Sequence, residues 1–392
     1  MQSTIYILQK IEYLAKNNSI VLLAHANSAY QRKVIAELAA GRTVIDLSDP
    51  ALRERAAWQP QEFLQRIEKP ALLMNLQYAP QLVPYMTDAP AGSYLAAASQ
   101  MYYLSEALRG VESAVVVNLP LGECGGAPFL PCVEYLRILR GGVGSIDVLH
   151  NIFTGSLAGK NFANDGERKH FFTEYVKGFL QRDIQDLTTA SDAMKFYRFL
   201  CAIAAETGNM VNYAMLGKAA DVSSPTAKTW LAFLEGAGIV RLLWPISHPA
   251  LKRIAKAPKI YFADTGLAAY LLRINSEEEL SGSAFSTALF ETYVVNRILE
   301  SYWGNGLEVQ LSYLRDSNAK EINLLLQYEG AIYPIEIKKD NISPTKLAKK
   351  FNALAPLRSD ESITVGNGCV ITVGSDVNEL DNGLWQVGAG KV

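Results

Sequence analysis

The chain has 392 residues and a nearly neutral composition, with 37 Lys and Arg against 39 Asp and Glu. This length exceeds that of a typical single hydrophobic core, so we expect two to three domains. No apolar run approaches membrane-spanning length, and charged residues interrupt the N-terminal stretch where a signal peptide would be apolar. The sequence therefore predicts a cytoplasmic protein without membrane contact. The four cysteines and four histidines have no metal-ligand spacing, which favours buried free thiols over a metal site.

A strand, a loop and a helix are predicted over Ser19 to Leu38, after an amphipathic helix over residues 1 to 18. The apolar run that opens this stretch is typical of a strand buried on both faces. Further short apolar runs follow, with helical stretches between several of them, at residues 42–50, 70–80, 92–100 and 112–120. This alternation predicts an α/β domain with a mostly parallel sheet covered by helices. The glycine-rich segment 120–167 is interpreted as loop and as a domain boundary.

The middle of the chain is predicted to be helical. A long helix covers 168–187, and three shorter helical patterns and a strand follow, an order typical of a winged helix-turn-helix; Ser223 or Ser224 is the expected N-cap of the last helix. Residues 191 to 259 contain nine Lys or Arg against four Asp or Glu. The candidates for contacts with DNA phosphates are Lys218, Thr226, Lys228, Thr229, Arg241, Lys252 and Arg253. Winged helices also bind proteins, so both kinds of partner stay open.

The last third is predicted to form an α/β sandwich built on a mixed sheet. A helix covers 285–303 and is followed by four strand-like runs, VQLSYLRD, KEINLLLQYEG, AIYPIEIKK and GCVITVG. A helical stretch from about Pro344 to Leu354, with Ser343 as its expected N-cap, separates the last run from the other three.

Several phrases of the sequence occur in the order found in one known family: QYAPQLVPYM at 77–86, YFADTGLAAYLL at 261–272, FETYVVNRILE at 290–300 and YPIEIKK at 333–339. With them the chain resembles bacterial and archaeal AAA+ ATPases that carry a winged helix and a C-terminal restriction-endonuclease-like domain of unknown function. The resemblance implies four parts, which are an AAA+-like (RecA-like) domain over 1–145, a linker and helix over 146–190, a winged helix over 191–260 and a PD-(D/E)xK nuclease-like domain over 261–392. It also implies ATP and Mg²⁺ as cofactors and an association with DNA.

The nucleotide-binding residues of the family are missing from this chain. The family's phosphate loop has the pattern G-x-x-x-x-G-K-[ST], and the matching positions here are His25, Tyr30, Gln31 and Arg32. Where a family strand ends in Asp-Glu, this chain has Asn75 and Leu76, so both carboxylates are absent. A Tyr side chain at a glycine position would fill the space of a phosphate, and an amide cannot replace an ammonium beside a triphosphate. We therefore predict that ATP is not hydrolysed and that no cofactor is required, with ATP and Mg²⁺ needed only if the family activity is retained.

The resemblance also places a nuclease-like constellation in the last third, at Glu291, Asn323, Glu336 and Lys338. In metal-dependent nucleases of this shape, an Asp and a Glu on neighbouring strands hold Mg²⁺, and a Lys two residues after the Glu stabilises negative charge. Glu336 and Lys338 share one face of a predicted strand, as that role requires. Asn323 stands where the Asp should be, although Glu321 on the same face could contribute. We predict a structural remnant, the alternative being strand charges that discourage edge pairing.

Together these features favour a catalytically degenerate member of an AAA+ ATPase family that acts as a binding or scaffolding protein, with DNA or another protein as candidate partners. Two alternatives stay open. One is an ATP-binding, DNA-associated ATPase, as in the family, and the other is a DNA-binding regulator that works through the winged helix. Nothing in the sequence fixes the oligomeric state.

Overall fold

The computed structural model describes residues 2–124, 126–140, 146–182, 184, 192–251, 254–317, 319–339, 342–359 and 363–392. Two candidates for DNA contact, Lys252 and Arg253, lie outside these residues, as do residues 185–187 of the predicted long helix. Within the described part of the chain, no helix is both long enough and apolar enough to cross a membrane.

The first part of the chain forms a five-stranded parallel sheet, as the sequence predicted. Its strands are β1 (Ile20–Ala24), β2 (Thr43–Asp46), β3 (Ala71–Met74), β4 (Tyr94–Ala98) and β5 (Ala114–Asn118). They lie in the order β2-β3-β4-β1-β5, and β1 is buried because β4 and β5 flank it. This arrangement is an α/β domain built on a parallel sheet.

Helices cover both faces of the parallel sheet. One face packs against α1 (Gln2–Asn17) and α2 (Ala29–Leu38). The other face packs against α3 (Pro50–Trp58), α4 (Pro60–Gln65) and α5 (Val83–Met86). Asp49 and Ser28 cap the helices that follow them, so the local signals that start α2 and α3 are side-chain hydrogen bonds to backbone N–H groups.

The middle of the chain is helical and ends in a strand pair. The helices are α6 (Val133–Arg140), α7 (Val148–Thr154), α8 (Asp165–Arg182), α9 (Ala193–Ala205), α10 (Tyr213–Ala220) and α11 (Ser224–Gly236). The antiparallel strands β6 (Val240–Leu243) and β7 (Lys259–Phe262) follow. Ser223 caps α11, as expected, whereas α6 and α7 lie in a segment that was interpreted as loop. The winged-helix interpretation of this region stays a prediction.

The last part of the chain forms a mixed sheet with helices. Its helices are α12 (Thr265–Leu271), α13 (Glu277–Gly282), α14 (Ser286–Gly304) and α15 (Pro344–Phe351). Its strands are β8 (Gln310–Arg315), β9 (Glu321–Tyr328), β10 (Ala331–Ile337), β11 (Thr364–Val365), β12 (Cys369–Thr372), β13 (Val377–Glu379) and β14 (Trp385–Gly388). The strand order is β13-β14-β12-β10-β9-β8, with β11 also beside β10. The four predicted strands and the Ser343 cap are confirmed, whereas β11, β13 and β14 were not predicted.

The three parts of the chain pack closely on one another. Trp230, Leu231 and Leu234 of α11 are buried in the largest core cluster, which extends into the mixed sheet. The backbone N–H of Met101, beyond β4, donates to Gly236 O at the end of α11 at 2.8 Å. The parallel sheet and the helices are therefore in direct contact next to the loop that follows β1.

Candidate functional site

The loop between β1 and α2 lies where α/β proteins most often bind ligands. It leaves the carboxyl end of β1, which has the edge strand β5 on one side and β4, β3 and β2 on the other. Ligands of open α/β sheets bind at this switch point, and a following helix N-terminus favours anions. Residues 25–28 form the loop, and the structure places all four predicted phosphate-loop positions in it or in the first turn of α2.

The side chain of Gln31 fills this loop from inside. Its Oε1 accepts hydrogen bonds from the backbone N–H groups of Ala26 at 2.9 Å and Ser28 at 3.0 Å. Its Nε2 donates to Leu119 O, just beyond β5, at 2.7 Å. Gln31 and Ser28 also form a reciprocal capping box, and both residues are fully buried. The amide oxygen of Gln31 therefore takes up the loop N–H groups that would face a bound phosphate.

Other N–H groups of the loop are also bonded within the chain. Asn27 N donates to His25 Nδ1 at 3.3 Å, and Ala29 N, at the start of α2, donates to Leu157 O at 3.1 Å. Asp264, the N-cap of α12, holds the 155–157 loop in place because one of its carboxylate oxygens accepts from Ser156 N and Leu157 N. The phrase YFADTG thus acts on the start of α2 through this loop, a role that the sequence did not indicate.

Tyr30 does not fill the space of a phosphate, contrary to the prediction. It lies in the core cluster between the sheet and α1 and α2, together with Val34 and Leu38. The reason is helical geometry: Tyr30 and Val34 lie one turn apart and share the buried face of α2. Gln31, and not Tyr30, occupies the loop. Arg32 is exposed and its guanidinium donates to Asn27 O.

His25 is an uncharged side chain at neutral pH. It is 7% exposed, and burial, with a smaller effect from the Arg32 guanidinium, lowers its pKa to about 4. Its Nδ1 accepts from Asn27 N–H, so the ring proton resides on Nε2. No hydrogen-bond partner for Nε2 exists among the residues that the structure describes.

The end of β3 carries an amide and an apolar residue, as read from the sequence, but a carboxylate lies beside them. Asn75 has a left-handed backbone with φ 58° and donates from Nδ2 to Asp46 Oδ1 at 2.8 Å. Leu76 is fully buried in the core on the side of α3 to α5. Burial acts to raise the pKa of Asp46, but hydrogen bonds from Ser48 and Asn75 lower it overall. Sequence reasoning missed Asp46, although it ends the strand next to β3.

Glu291 and Asn323, two residues of the predicted nuclease-like constellation, meet around a buried lysine. Lys259 Nζ lies 3.0 Å from Glu291 Oε1 and 2.6 Å from Glu321 Oε1, and its side chain is 4% exposed. Asn323 Nδ2 donates to Glu291 Oε2 at 2.9 Å, a hydrogen bond that an ionised Asp could not form. Burial acts to lower the pKa of Lys259, but Glu291 and Glu321 raise it overall. We call Lys259, Glu291, Glu321 and Asn323 the lysine-centred cluster.

Glu336 and Lys338 form a separate ion pair at the end of β10, with Lys338 one residue beyond the strand. Lys338 Nζ lies 3.3 Å from Glu336 Oε1, and Lys350 of α15 bonds to the same oxygen. The link to the lysine-centred cluster is a backbone one, from Ile337 N to Asn323 Oδ1 at 3.2 Å. In the described ranges, no three His, Cys, Asp or Glu side chains are grouped so that they could hold a metal ion. Lys259 and Lys350 were missed because they lie far along the chain from their partners.

The candidates for DNA contact differ in their exposure to solvent. Lys218, Lys228 and Thr229 are exposed, and the Thr226 hydroxyl lies 2.8 Å from Ser223 Oγ. Arg241, in contrast, is held inside the protein. Its guanidinium donates to Asn296 Oδ1 at 2.6 Å and to Glu300 Oε1 at 2.9 Å, and it stacks on the Trp303 ring.

Fold and site together define an α/β protein with a parallel sheet whose central loop is filled by its own side chains. Residues 160–278 match a family described as a domain of unknown function, DUF8612, and residues 286–390 match a second, DUF4143. Two uncharacterized proteins, one from Mycobacterium bovis and one from Mycobacterium tuberculosis, are each 29% identical to the chain over 222 residues. These matches cover 53% of this chain and 49% of each relative, so the chain spans about half the length of the curated relatives it matches.

One solved structure is similar to the chain over a large region. The Walker-type ATPase PABY2304 of Pyrococcus abyssi matches 68% of this chain and 94% of its own, with 13% identity and a TM-score of 0.39. That score is too low to establish a common fold.

Proposed function

We propose that this chain is a catalytically degenerate relative of AAA+ ATPases that acts as a binding or scaffolding protein. The observation that carries the proposal is the position of Gln31, whose amide oxygen accepts from Ala26 N and Ser28 N. A triphosphate needs those donors, together with a lysine and a Mg²⁺ carboxylate. Its entry would leave the Gln31 amide without partners, a penalty of about 1–3 kcal/mol for each buried group.

The last third of the chain supports the same proposal. Glu291 and Glu321, two carboxylates of the nuclease-like region, both contact the ammonium of Lys259, and Glu321 also pairs with Arg315 at 3.1 Å. Glu336 is neutralised by Lys338 and Lys350. A divalent cation would have to displace the buried ammonium of Lys259 from Glu291 and Glu321, and those of Lys338 and Lys350 from Glu336 Oε1. We infer that this region, too, has a structural and not a catalytic role.

The test of this proposal is the melting temperature with and without millimolar Mg-ATP, followed by a phosphate-release assay on the same sample. Saturation at 100 times the dissociation constant would stabilise the folded state by about 2.7 kcal/mol, a shift of several degrees. We expect no shift for the wild-type chain. The matched variant carries Gln31→Lys and Arg32→Thr, which restores the lysine and hydroxyl of the loop. A clear wild-type shift with phosphate release would refute the proposal.

A second candidate function is DNA binding through α11 and the end of α10. It is favoured by the exposure of Lys218 and Lys228, which lie close to the start of α11 in sequence. Replacing both lysines with Gln should weaken binding to duplex DNA. It should also reduce the slope of the logarithm of the binding constant against the logarithm of the salt concentration by about 2. Lys177→Gln, at an exposed lysine of α8, is the matched control. Unchanged binding in the double variant would remove α11 from consideration.

A further inference from the structure

The outer edge of β5 is the least protected edge of the two large sheets. β2 ends in Asp46, and the three-residue strand β13 ends in Glu379. The segment 244–255 covers β8 with hydrogen bonds such as Ile246 N to Tyr313 O at 2.8 Å. β5 reads AVVVN, so it contains neither a charge nor a proline. The charged side chains and prolines that keep other chains from pairing with an edge are therefore absent from β5.

Some of the backbone groups of β5 point away from its neighbour β1. Leu119 N, just beyond β5, donates to Ala24 O of β1 at 3.0 Å. Successive residues of a strand direct their N–H and C=O groups to opposite sides, so Val117 also faces β1. The backbone groups of Val116 and Asn118 therefore face outward. Among the residues that the structure describes, no hydrogen bond to these outward groups is found.

A cleft of about 300 Å³ runs along this outer edge. Residues 115–118 of β5 line it, whereas no residue of β1 does. The rest of its wall comes from α1, from the end of α14 and from the residues after it: Lys10, Leu14, Trp303, Gly306, Leu307 and Glu308. Successive strand side chains point to opposite faces of a sheet, so a cleft that contacts four consecutive residues follows the strand edge. Val116, in the middle of this edge, is 37% exposed and can be reached from outside.

The bonding groups and charges of this cleft select an extended, uncharged polypeptide as its occupant. An extended backbone presents the N–H and C=O groups that a free strand edge needs, and edge strands of other proteins bind peptides in this way. The wall has one cation, Lys10, and one anion, Glu308, and β5 has no charge. A net charge on the added strand would lose hydration beside the valines without gaining a counter-charge.

A second folded copy of the chain is a poorer match for this edge. Helices cover both faces of the parallel sheet, so the edge of a second sheet would arrive with its own helices. The wall beside β5 is closed where α1 meets the residues after α14, because a Cβ on Gly306 would lie 2.5 Å from Lys10 Cγ. A single added strand needs only about 4.8 Å beside β5, the spacing of neighbouring strands.

We propose that the free edge of β5 binds an extended, uncharged segment of a partner protein as an additional strand of the parallel sheet. The inference rests on the proposed scaffolding function, because it names the surface at which a scaffold would hold its partner. Its test contains no nucleotide, so it succeeds or fails independently of the Mg-ATP measurement.

The probe is the pentapeptide Thr-Val-Thr-Val-Thr, acetylated and amidated so that it carries no charge, and titrated calorimetrically into the full chain. Val116→Pro removes the outward N–H and leaves the ladder with β1 intact, because proline is tolerated where an edge N–H faces solvent. Val44→Pro on β2, the opposite edge of the same sheet, is the matched control. Val44 also faces outward, since Thr43 N donates to Pro70 O, and it is 49% exposed.

We expect the pentapeptide to bind the wild-type chain and Val44→Pro equally, and Val116→Pro about tenfold more weakly, as for the loss of one hydrogen bond. A second peptide, with proline in place of the central threonine, should bind more weakly than the first. In the complex, hydrogen exchange of the Val116 and Asn118 amides should slow. Three results would overturn the proposal: no binding at millimolar peptide, equal weakening by both proline variants, or equal binding of the two peptides.

A second pair of variants, Val116→Lys and Val44→Lys, repeats the comparison without proline, and the melting temperature of each variant shows whether it is folded. A lysine on β5 should weaken peptide binding, as charges do at natural sheet edges, and a lysine on β2 should not. Light scattering is run in parallel. A wild-type dimer that Val116→Lys dissociates and Val44→Lys preserves would assign the edge to a second copy of the chain and overturn the proposal.

Discussion

The loop after β1 and the lysine-centred cluster are both filled by side chains of the protein itself, but with opposite electrostatics. In the loop, the neutral amide of Gln31 accepts from two backbone N–H groups and donates to a carbonyl oxygen. In the cluster, the buried ammonium of Lys259 lies between two carboxylates. Removing a neutral group leaves a few unsatisfied dipoles, whereas removing an ion leaves uncompensated charge. The same arrangement, polar groups that are satisfied by the chain's own side chains, therefore depends on interactions of very different strength.

Among variants that disrupt the loop or the cluster, Lys259→Met is expected to lower the stability most. The variant leaves Glu291 buried without a cation and Glu321 with Arg315 alone, so the free energy of unfolding at pH 7 should fall by about 3–5 kcal/mol. Urea denaturation followed by circular dichroism measures the change. Lys177→Met, at an exposed lysine, is the control and should stay within about 0.5 kcal/mol of wild type.

A triple variant separates lost charge pairing from lost packing. Adding Glu291→Gln and Glu321→Gln to Lys259→Met removes both carboxylates that contacted the lysine. Most of the lost stability should return, because replacing a whole buried ion group with uncharged side chains often changes stability little. A loss below about 1 kcal/mol in the single variant would contradict the idea that the cluster depends on its central cation.

The second effect concerns the pH dependence of stability at the loop. Because the pKa of His25 is lowered from 6.5 to about 4 in the folded chain, the unfolded chain binds more protons between these values. The contribution of His25 is therefore fully present above pH 6.5 and is lost as the pH falls towards 4. The total change is at most about 3.5 kcal/mol, since one unit of pKa corresponds to about 1.4 kcal/mol.

His25→Phe should flatten the stability profile between pH 4 and 6.5, measured by urea unfolding at a series of pH values. His170→Phe, at an exposed histidine of α8, provides the comparison and should leave the slope intact. The lysine-centred cluster affects stability in a different pH range. Burial opposes the shift, but Lys259 lowers the pKa of Glu321 overall, so that contribution is lost only as the pH falls through a value below 4.5. An unchanged slope in His25→Phe would contradict the assigned neutral state.

The comparison also explains what the sequence could predict. The parallel sheet, the helix α14 and the caps Ser223 and Ser343 follow from local patterns of apolar residues and capping side chains, and all were predicted. The short strands β13 and β14 were not, because their sequences, VNE and WQVG, lack the continuous apolar run that marks the predicted strands. The absence of the family's phosphate-loop residues was read directly from the sequence, but the group that replaces them was not.

The missed site residues are those whose partners are distant along the chain. Lys259 lies 32 residues from Glu291 and 62 from Glu321, and it was counted only as part of a basic region. Gln31 was assigned as a missing lysine, although the Ser28-x-x-Gln31 spacing is itself the signature of a capping box. That signature was the signal that could have identified its role. The hydrogen bond from its amide to Leu119 O joins residues 88 positions apart, and the sequence around Gln31 gives no sign of it.

The smallest effect is expected for Gln31→Ala, which breaks the neutral filling of the loop. It leaves Ala26 N, Ser28 N and Leu119 O without their side-chain partner, and partial entry of water should limit the loss to about 2 kcal/mol. Gln65→Ala, at an exposed position of α4, is the matched control. Urea unfolding of both variants measures the difference.

Adding sulfate to the Gln31→Ala variant tests whether the loop without the Gln31 amide keeps the geometry of an anion site. Because N–H groups at the start of a helix favour anions, sulfate should stabilise Gln31→Ala more than it stabilises Gln65→Ala. Sulfate also strengthens hydrophobic burial in any protein, so only the difference between the two variants is informative. A larger gain for Gln31→Ala would mean that Gln31 occupies a preserved anion site. Equal gains in stability for the two variants would mean that the loop has its present shape only because Gln31 holds it. The loop and the lysine-centred cluster would then differ only in the strength of the interactions that fill them.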